Sequence, residues 1–159
     1  MRLDSRMAES FRSIPYGVYL LTARKGPDLF SVVVSWVSQV SFSPPRLMVA
    51  LRHNRRVIPA IQESRFYSLS LLSTEHKDLV VGFKGLHPPA GRGDLWEEAD
   101  SFQAPILKGC LAGWKCHLFS TVEAGDHFLF LGEVESASGG KEGLPLTTLD
   151  LGKTYIGQF

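Results

Sequence analysis

Cysteine is scarce here: Cys110 and Cys116 are the only two in 159 residues, too few for a disulfide framework, and they read as reduced thiols. An excess of charge of either sign is lacking too. Seventeen Lys and Arg face 16 Asp and Glu, for a formal charge of +1, so no global field recruits nucleic acid and any anion site must be local. No run approaches the roughly 20 apolar residues that a membrane-crossing helix needs. Arg2, Asp4, Arg6, Glu9 and Arg12 leave no room for the apolar core of a signal peptide, so the expectation is a cytoplasmic protein with no membrane partner. Gly-x-Gly-x-x-Gly and Walker motifs are absent, so a pyridine nucleotide would not be held in the Rossmann manner. Nor is there a nucleophile elbow to support a hydrolase triad. Cys116 and His117 are neighbours in an extended run and point to opposite faces, so they do not share a tetrahedral site and no metal is expected.

What is present fits one folded domain over residues 1–159. Its length allows a substantial core, and hydrophobic residues at 44% with charged residues at 21% are far from a disordered composition. Asp4 or Ser5 can cap a short helix in which Met7, Phe11 and Ile14 form an apolar stripe ended by Pro15. Val18–Ala23 and Leu29–Val37, joined by Lys25-Gly26-Pro27-Asp28, predict a hairpin. A strand is expected over Phe30–Ser38, a bend at Ser43-Pro44-Pro45, a strand over Leu47–Leu51, and a helix near Val57 to Glu63. Phe66 to Leu72 reads as a buried strand, and Ser73-Thr74 caps a helix running to about Phe83. From Lys84 to Pro105 prolines and glycines break all periodicity, which predicts a long loop over a pocket or a subunit contact. Leu111–Val122 and His127–Ser136 predict a second hairpin, and Pro145 to Tyr155 a last strand. Adjacent antiparallel strands with few helices favour a closed or partly open barrel.

The stretch from Phe30 to Ile61 carries the chemistry. Pro59 has no N–H and is tolerated only in a first helical turn, which puts the helix start at Arg56 or Val57. Unpaired first-turn amides carry the positive end of the dipole there, beside Arg55 and Arg56, so an anion such as a phosphate is the natural counterpart. The same pattern also fits a solvated basic turn. Upstream, Ser35 and Ser38 place small hydroxyls at a strand end that could edge something flat and polar.

Ser35-Trp36-Val37-Ser38-Gln39-Val40-Ser41-Phe42-Ser43-Pro44-Pro45, then Met48-Val49-Ala50-Leu51 and Pro59-Ala60-Ile61, resembles the signature of the flavin reductase-like, FMN-binding split-barrel proteins. Phe66-Tyr67-Ser68-Leu69-Ser70-Leu71-Leu72 and Gly125-Asp126-His127 follow in that family's order, so the likeness runs from about Gly17 to Tyr155. It implies a mainly β, antiparallel Greek-key split barrel with a few short helices. It also implies FMN as cofactor, FAD being possible, and NADH or NADPH as co-substrate. The activity implied is an NAD(P)H-dependent flavin oxidoreductase passing electrons to free flavin or a protein acceptor, in a homodimer with sites near the subunit contact. Trp96 and Phe159 would suit that contact.

On this reading Arg55 and Arg56, with Asn54 and the more distant Arg52, take the phosphate, although relatives often carry small hydroxyl residues where Arg55 and Arg56 stand. Ser35, Trp36, Val37 and Ser38, with Ser41 and Leu51 in the same signature, line the flavin, and Trp36 either stacks near the ring or braces a core or a dimer contact. The histidine matching His127 lies near the ring and the nicotinamide in the family, which suggests a positioning or proton-relay group; the alternative is a turn histidine held by Asp126. Phe83 and Lys84 match an aromatic-plus-basic segment, and Lys84 would either meet a phosphate or satisfy a helix end. An electron carrier that oxidises no pyridine nucleotide, and an oligonucleotide- or ligand-binding barrel, stay open as rivals. The interleaving of aromatics and lysines expected of the oligonucleotide-binding barrel is missing.

Overall fold

Alternating residues with β-branched and aromatic side chains build seven strands, which the structure, a computed structural model, describes over residues 4–82, 93–97 and 104–152. They are β1 (Tyr19–Lys25), β2 (Asp28–Val34), β3 (Val37–Phe42), β4 (Pro45–Arg52), β5 (Phe66–Leu71), β6 (Ala112–Ala124) and β7 (His127–Gly139). The helices are α1 (Ser5–Arg12), α2 (Val57–Ser64) and α3 (Lys77–Gly82). All pairings are antiparallel, in the order β2-β1-β5-β6-β7-β4-β3.

That order forces the sheet to curl. The edge strands β2 and β3 are consecutive in the chain and only Ser35 and Trp36 separate them. Three Cα steps reach at most about 11 Å, whereas the edges of a flat seven-stranded sheet lie roughly 29 Å apart. The two edges therefore meet at one end, and among the described residues no ladder joins them, which leaves a split barrel. The expected single strand over Phe30–Ser38 is thus corrected to two strands broken at Ser35-Trp36. Its cause is visible in the backbone: the Val37 amide turns back to the Ser35 carbonyl at 3.0 Å, and the Trp36 carbonyl accepts the Ala50 amide at 2.9 Å.

Leu21, Ala23, Val49, Leu51, Tyr67, Leu69, Cys116, Leu118 and Phe130 fill the barrel, and α2 covers it with Val57, Ile58, Ala60 and Ile61. α2 starts where Pro59 predicted and ends at Arg65, which takes the left-handed conformation (φ 66°) and ties back to Leu118 through its carbonyl at 2.7 Å and its guanidinium at 2.9 Å. A second core gathers Val18, Leu20, Leu72, Ile106, Leu107, Cys110 and Leu146 on the outside of β1 and β5. Buried hydroxyls on that outer face hold residues 104–107. Thr22 donates to the Pro105 carbonyl, Ser68 to the Ala104 carbonyl, both at 2.6 Å, and Ser70 accepts the Leu107 amide at 3.0 Å. Each carbonyl or amide so covered keeps its partner out of water.

Of the long loop expected over Lys84–Pro105, Gly93–Leu95 form one 3-10 turn, and Trp96 packs half-buried in this second core. Its half-burial corrects the expectation of an exposed aromatic there; Phe159 lies outside the described residues. The last strand expected over Pro145–Tyr155 is replaced, as far as residue 152, by turns with isolated bridges from Pro145 to Ser73 and from Thr147 to Gly17. Thr147 explains the turn: its amide and hydroxyl both donate to Asp150 Oδ2 at 2.8 Å. α1 forms with Asp4 as its cap (Asp4 Oδ1 to the Met7 amide, 2.8 Å), but Met7, Phe11 and Ile14 are exposed. No helix among the described residues is long and apolar enough to cross a membrane.

Gly132 lies where β7 crosses over Tyr67, and a Cβ there would strike the Tyr67 hydroxyl and approach Cys116 Cβ to 2.8 Å. Tyr67 is fully buried and has no room to retreat. Gly132→Ala is expected to lower stability by about 1–3 kcal/mol, read as a lower urea midpoint with an unchanged denaturant slope.

Candidate functional site

Where Ser35 and Trp36 interrupt the sheet, a cavity of about 170 Å³ opens. Val33, Val34, Ser35 and Trp36 form one wall, and Ala50, Leu51 and Arg52 from the end of β4 form the facing one. Arg55, at the entry to α2, and His127, at the start of β7, stand at its polar end. Val18, Thr148 and Leu151 complete it from the second core and the final turns.

Several backbone ties make these distant residues neighbours. Arg52 pairs with His127 across β4 and β7, and the His53 amide donates to the Asp126 carbonyl at 3.2 Å. The Arg55 amide donates to the Arg52 carbonyl (3.0 Å), and the Ile58 amide to the Arg55 carbonyl (3.1 Å), so the basic turn winds directly into α2. Thr148 is laced to Tyr16 in both directions: its amide donates to the Tyr16 carbonyl at 2.9 Å and its hydroxyl accepts the Tyr16 amide at 3.2 Å. Tyr16, Trp36 and His127 then make an aromatic row, with ring centroids 6.3 Å and 4.8 Å apart in turn.

His127 is 6% exposed, and its Nδ1 lies 2.6 Å from Asp126 Oδ1, within hydrogen-bond distance. Arg52 Nε lies 3.8 Å from the other carboxylate oxygen. The hydrogen bond from His127, helped by the neighbouring charge of Arg52, holds the Asp126 carboxyl below its ordinary 3.8. α2 has no acidic residue in its first turn, and its N-cap, Arg56, makes no side-chain capping bond, so neither the first turn nor the cap side chain answers the positive end of the helix dipole. Burial drives the Cys116 thiol up to about 12, which leaves it a core side chain and not a nucleophile. Among the described residues no cluster of His, Cys, Asp and Glu could hold a metal.

Of the residues singled out in the sequence, Ser35, Trp36, Leu51, Arg52, Arg55 and His127 converge on the cavity. Val37 packs against the barrel core; Ser38, Asn54 and Arg56 are exposed and Ser41 half-buried, none of the five in the cavity wall. Phe83 and Lys84 lie outside the described residues. The walls sequence reasoning missed are Val18, Val33, Val34, Ala50, Thr148 and Leu151. Val33 and Val34 adjoin the hydroxyl-bearing stretch and were within reach of a pattern argument, but nothing marks Thr148 or Leu151 in a segment that reads as a strand.

The family model for the flavin reductase like domain matches residues 11–155. This chain belongs to that family. The NADH-dependent FMN reductase AsuE2 of Streptomyces nodosus subsp. asukaensis is 30% identical over 125 residues, 77% of this chain and 68% of its own length. Diflavin flavoprotein A 1 of Synechocystis is 31% identical over 146 residues, 89% of this chain; the flavin reductase like domain described here spans only about 26% of that relative. Among solved structures, the flavin reductase PheA2 superposes with a TM-score of 0.78 at 26% identity, covering 91% of this chain and 93% of its own.

Because the folded-state value of Asp126 is depressed, its contribution to stability is full above the unfolded value and disappears as pH falls through the folded one. The stability gap between the wild type and Asp126→Asn, measured by urea unfolding, should accordingly be open above the ordinary carboxylate value of 3.8 and narrow as pH falls below it.

Proposed function

We propose that the cavity binds FMN and that the domain passes a hydride from NADH or NADPH to it, with electrons going on to free flavin or a protein acceptor. The observation that carries this reading is the meeting of Arg55, at the entry to α2, with the Ser35-Trp36 strand break in one cavity. Family membership and the likeness to an NADH-dependent FMN reductase support it.

The donor set suits the cofactor's parts. A phosphate finds a fixed cation in Arg55 and the amide end of α2. Ser35 and the broken backbone beside it offer hydrogen-bonding groups to the edge of a planar ring, while Val33, Val34 and Leu51 give apolar cover and keep water away. Trp36 extends that cover toward His127. When bound, a flavin supplies the redox chemistry, accepting the hydride at its ring. The protein's task is alignment and exclusion of solvent, which needs no strong acid, base or nucleophile among the described residues of the cavity wall. His127 is placed to orient the nicotinamide or to move a proton through its ring.

Anaerobic addition of NADH or NADPH to the FMN-loaded protein should bleach the flavin at a rate useful for turnover. Bound flavin that neither nucleotide bleaches would make the domain an electron carrier instead, and protein that stays colourless after FMN addition would return it to the non-redox ligand-binding barrels. Arg55→Ala should weaken FMN by about tenfold or more, as a charge-assisted hydrogen bond worth roughly 1.5–3 kcal/mol implies, and leave riboflavin nearly unaffected. Arg56→Ala should do less and the double variant most; equal losses for the two ligands would show that the arginines do not read the phosphate. A homodimer is part of the same reading, supported by the exposed Val40, Phe42, Phe119 and Val122 on β3 and β6, with Phe42 at 88% exposure. Sedimentation equilibrium showing only a species of 17.6 kDa would overturn it.

A further inference from the structure

Residues adjacent in an extended chain point to opposite sides, so a hydrogen bond between the side chains of Asp126 and His127 needs a special backbone. The β6–β7 turn supplies it. Ala124 pairs with His127, which leaves Gly125 and Asp126 as a two-residue connection, and Gly125 takes the positive φ (62°) that such a turn demands. Asp126 then folds back with each of its acceptors engaged: Oδ1 on His127 Nδ1 at 2.6 Å, Oδ2 facing Arg52 Nε at 3.8 Å, and its carbonyl on the His53 amide at 3.2 Å. The carboxylate is two-thirds exposed (67%), whereas the imidazole it holds is buried in the cavity wall beside Trp36. With Nδ1 directed outward, the nitrogen through which the ring can serve the cavity is Nε2. Among the described residues the charged groups placed beside the ring include Asp126 on the turn, Arg52 opposite on β4 and Arg55 in the same cavity wall.

We propose that Asp126 is a positioning residue of this site: its hydrogen bond fixes His127 in the Nδ1–H tautomer and aims Nε2 at the nicotinamide or the flavin. This rests on the reading of the cavity as a flavin and nicotinamide site. A histidine's second nitrogen takes its role from the bond the first one makes. While the ring is neutral, Nε2 carries the lone pair and accepts, and when the ring is protonated Nε2 donates; in both states the carboxylate keeps the ring from rotating its other nitrogen inward. Arg52 is the only described cation within ion-pairing distance of that carboxylate, and at 3.8 Å it leaves the shorter bond to His127 in place.

Two measurements on the full chain loaded with FMN test this. Nitrogen NMR of the imidazoles in the wild type should show neutral His127 protonated at Nδ1, and Asp126→Asn should convert it to a mixture of tautomers; a wild-type ring protonated at Nε2 overturns the proposal. In anaerobic flavin reduction by NADH, Asp126→Asn should lower kcat/KM about tenfold, an order of magnitude typical of losing a hydrogen bond that orients a functional imidazole. The same substitution in a His127→Asn background should then cost nothing further. An equal loss in both backgrounds would mean that Asp126 acts through the turn or through Arg52, and the proposal falls. Asp126→Glu, which keeps the charge, should recover part of the rate if the first variant folds poorly. Should the wild type fail to oxidise NADH or NADPH at all, the reductase reading falls by itself, and the tautomer measurement still decides whether Asp126 sets the ring.

Discussion

Two residues too short a bridge for a flat sheet shape this molecule. Ser35 and Trp36 connect strands at opposite edges, so every other strand must curve to let those edges approach, and the place where they approach without pairing is where the cavity lies. Closure and site thus have one cause. A longer connection would relax the curl and fill the gap with loop, while continued pairing through Trp36 would remove the opening.

The curled sheet then needs covers, and two different ones are used. α2 closes the barrel with four buried aliphatic side chains, and the turn that winds into it sets Arg55 in the cavity wall. On the outside of β1 and β5 the cover is an irregular segment, residues 104–107, held through Thr22, Ser68 and Ser70 as well as through Ile106 and Leu107. Hydroxyls suit this position because irregular backbone has carbonyls and amides that a purely apolar surface would leave unsatisfied.

The hairpins, the start of α2 and the antiparallel class could be read from the sequence because each rests on local chemistry: Gly26-Pro27 and Gly125-Asp126 for turns, Pro59 for a first helical turn, alternation for strands. The convergence of Arg55 with Ser35 and Trp36 was likewise readable, since the three lie within one short stretch. What local patterns could not reveal is long-range. Trp36 looks like a mid-strand residue until the edge order is known, and Thr148 enters the cavity only through hydrogen bonds to Tyr16, 132 residues earlier. Ser38 carries the same residue type as Ser35, and Arg56 the same as Arg55, yet both are exposed, an outcome decided by their place in β3 and at the α2 cap and not by composition.

The lacing of Thr148 to Tyr16 has its own thermodynamic meaning. Residues 145–152 contribute walls and isolated bridges but no ladder strand, so their docking rests on few backbone hydrogen bonds and is open to local fraying. Anything that fills the enclosure and touches Thr148 or Leu151 draws these residues onto the Tyr16 segment, and by mass action their docking must in return favour the occupied state. Grip on a guest and order in residues 145–152 are therefore two readings of a single equilibrium.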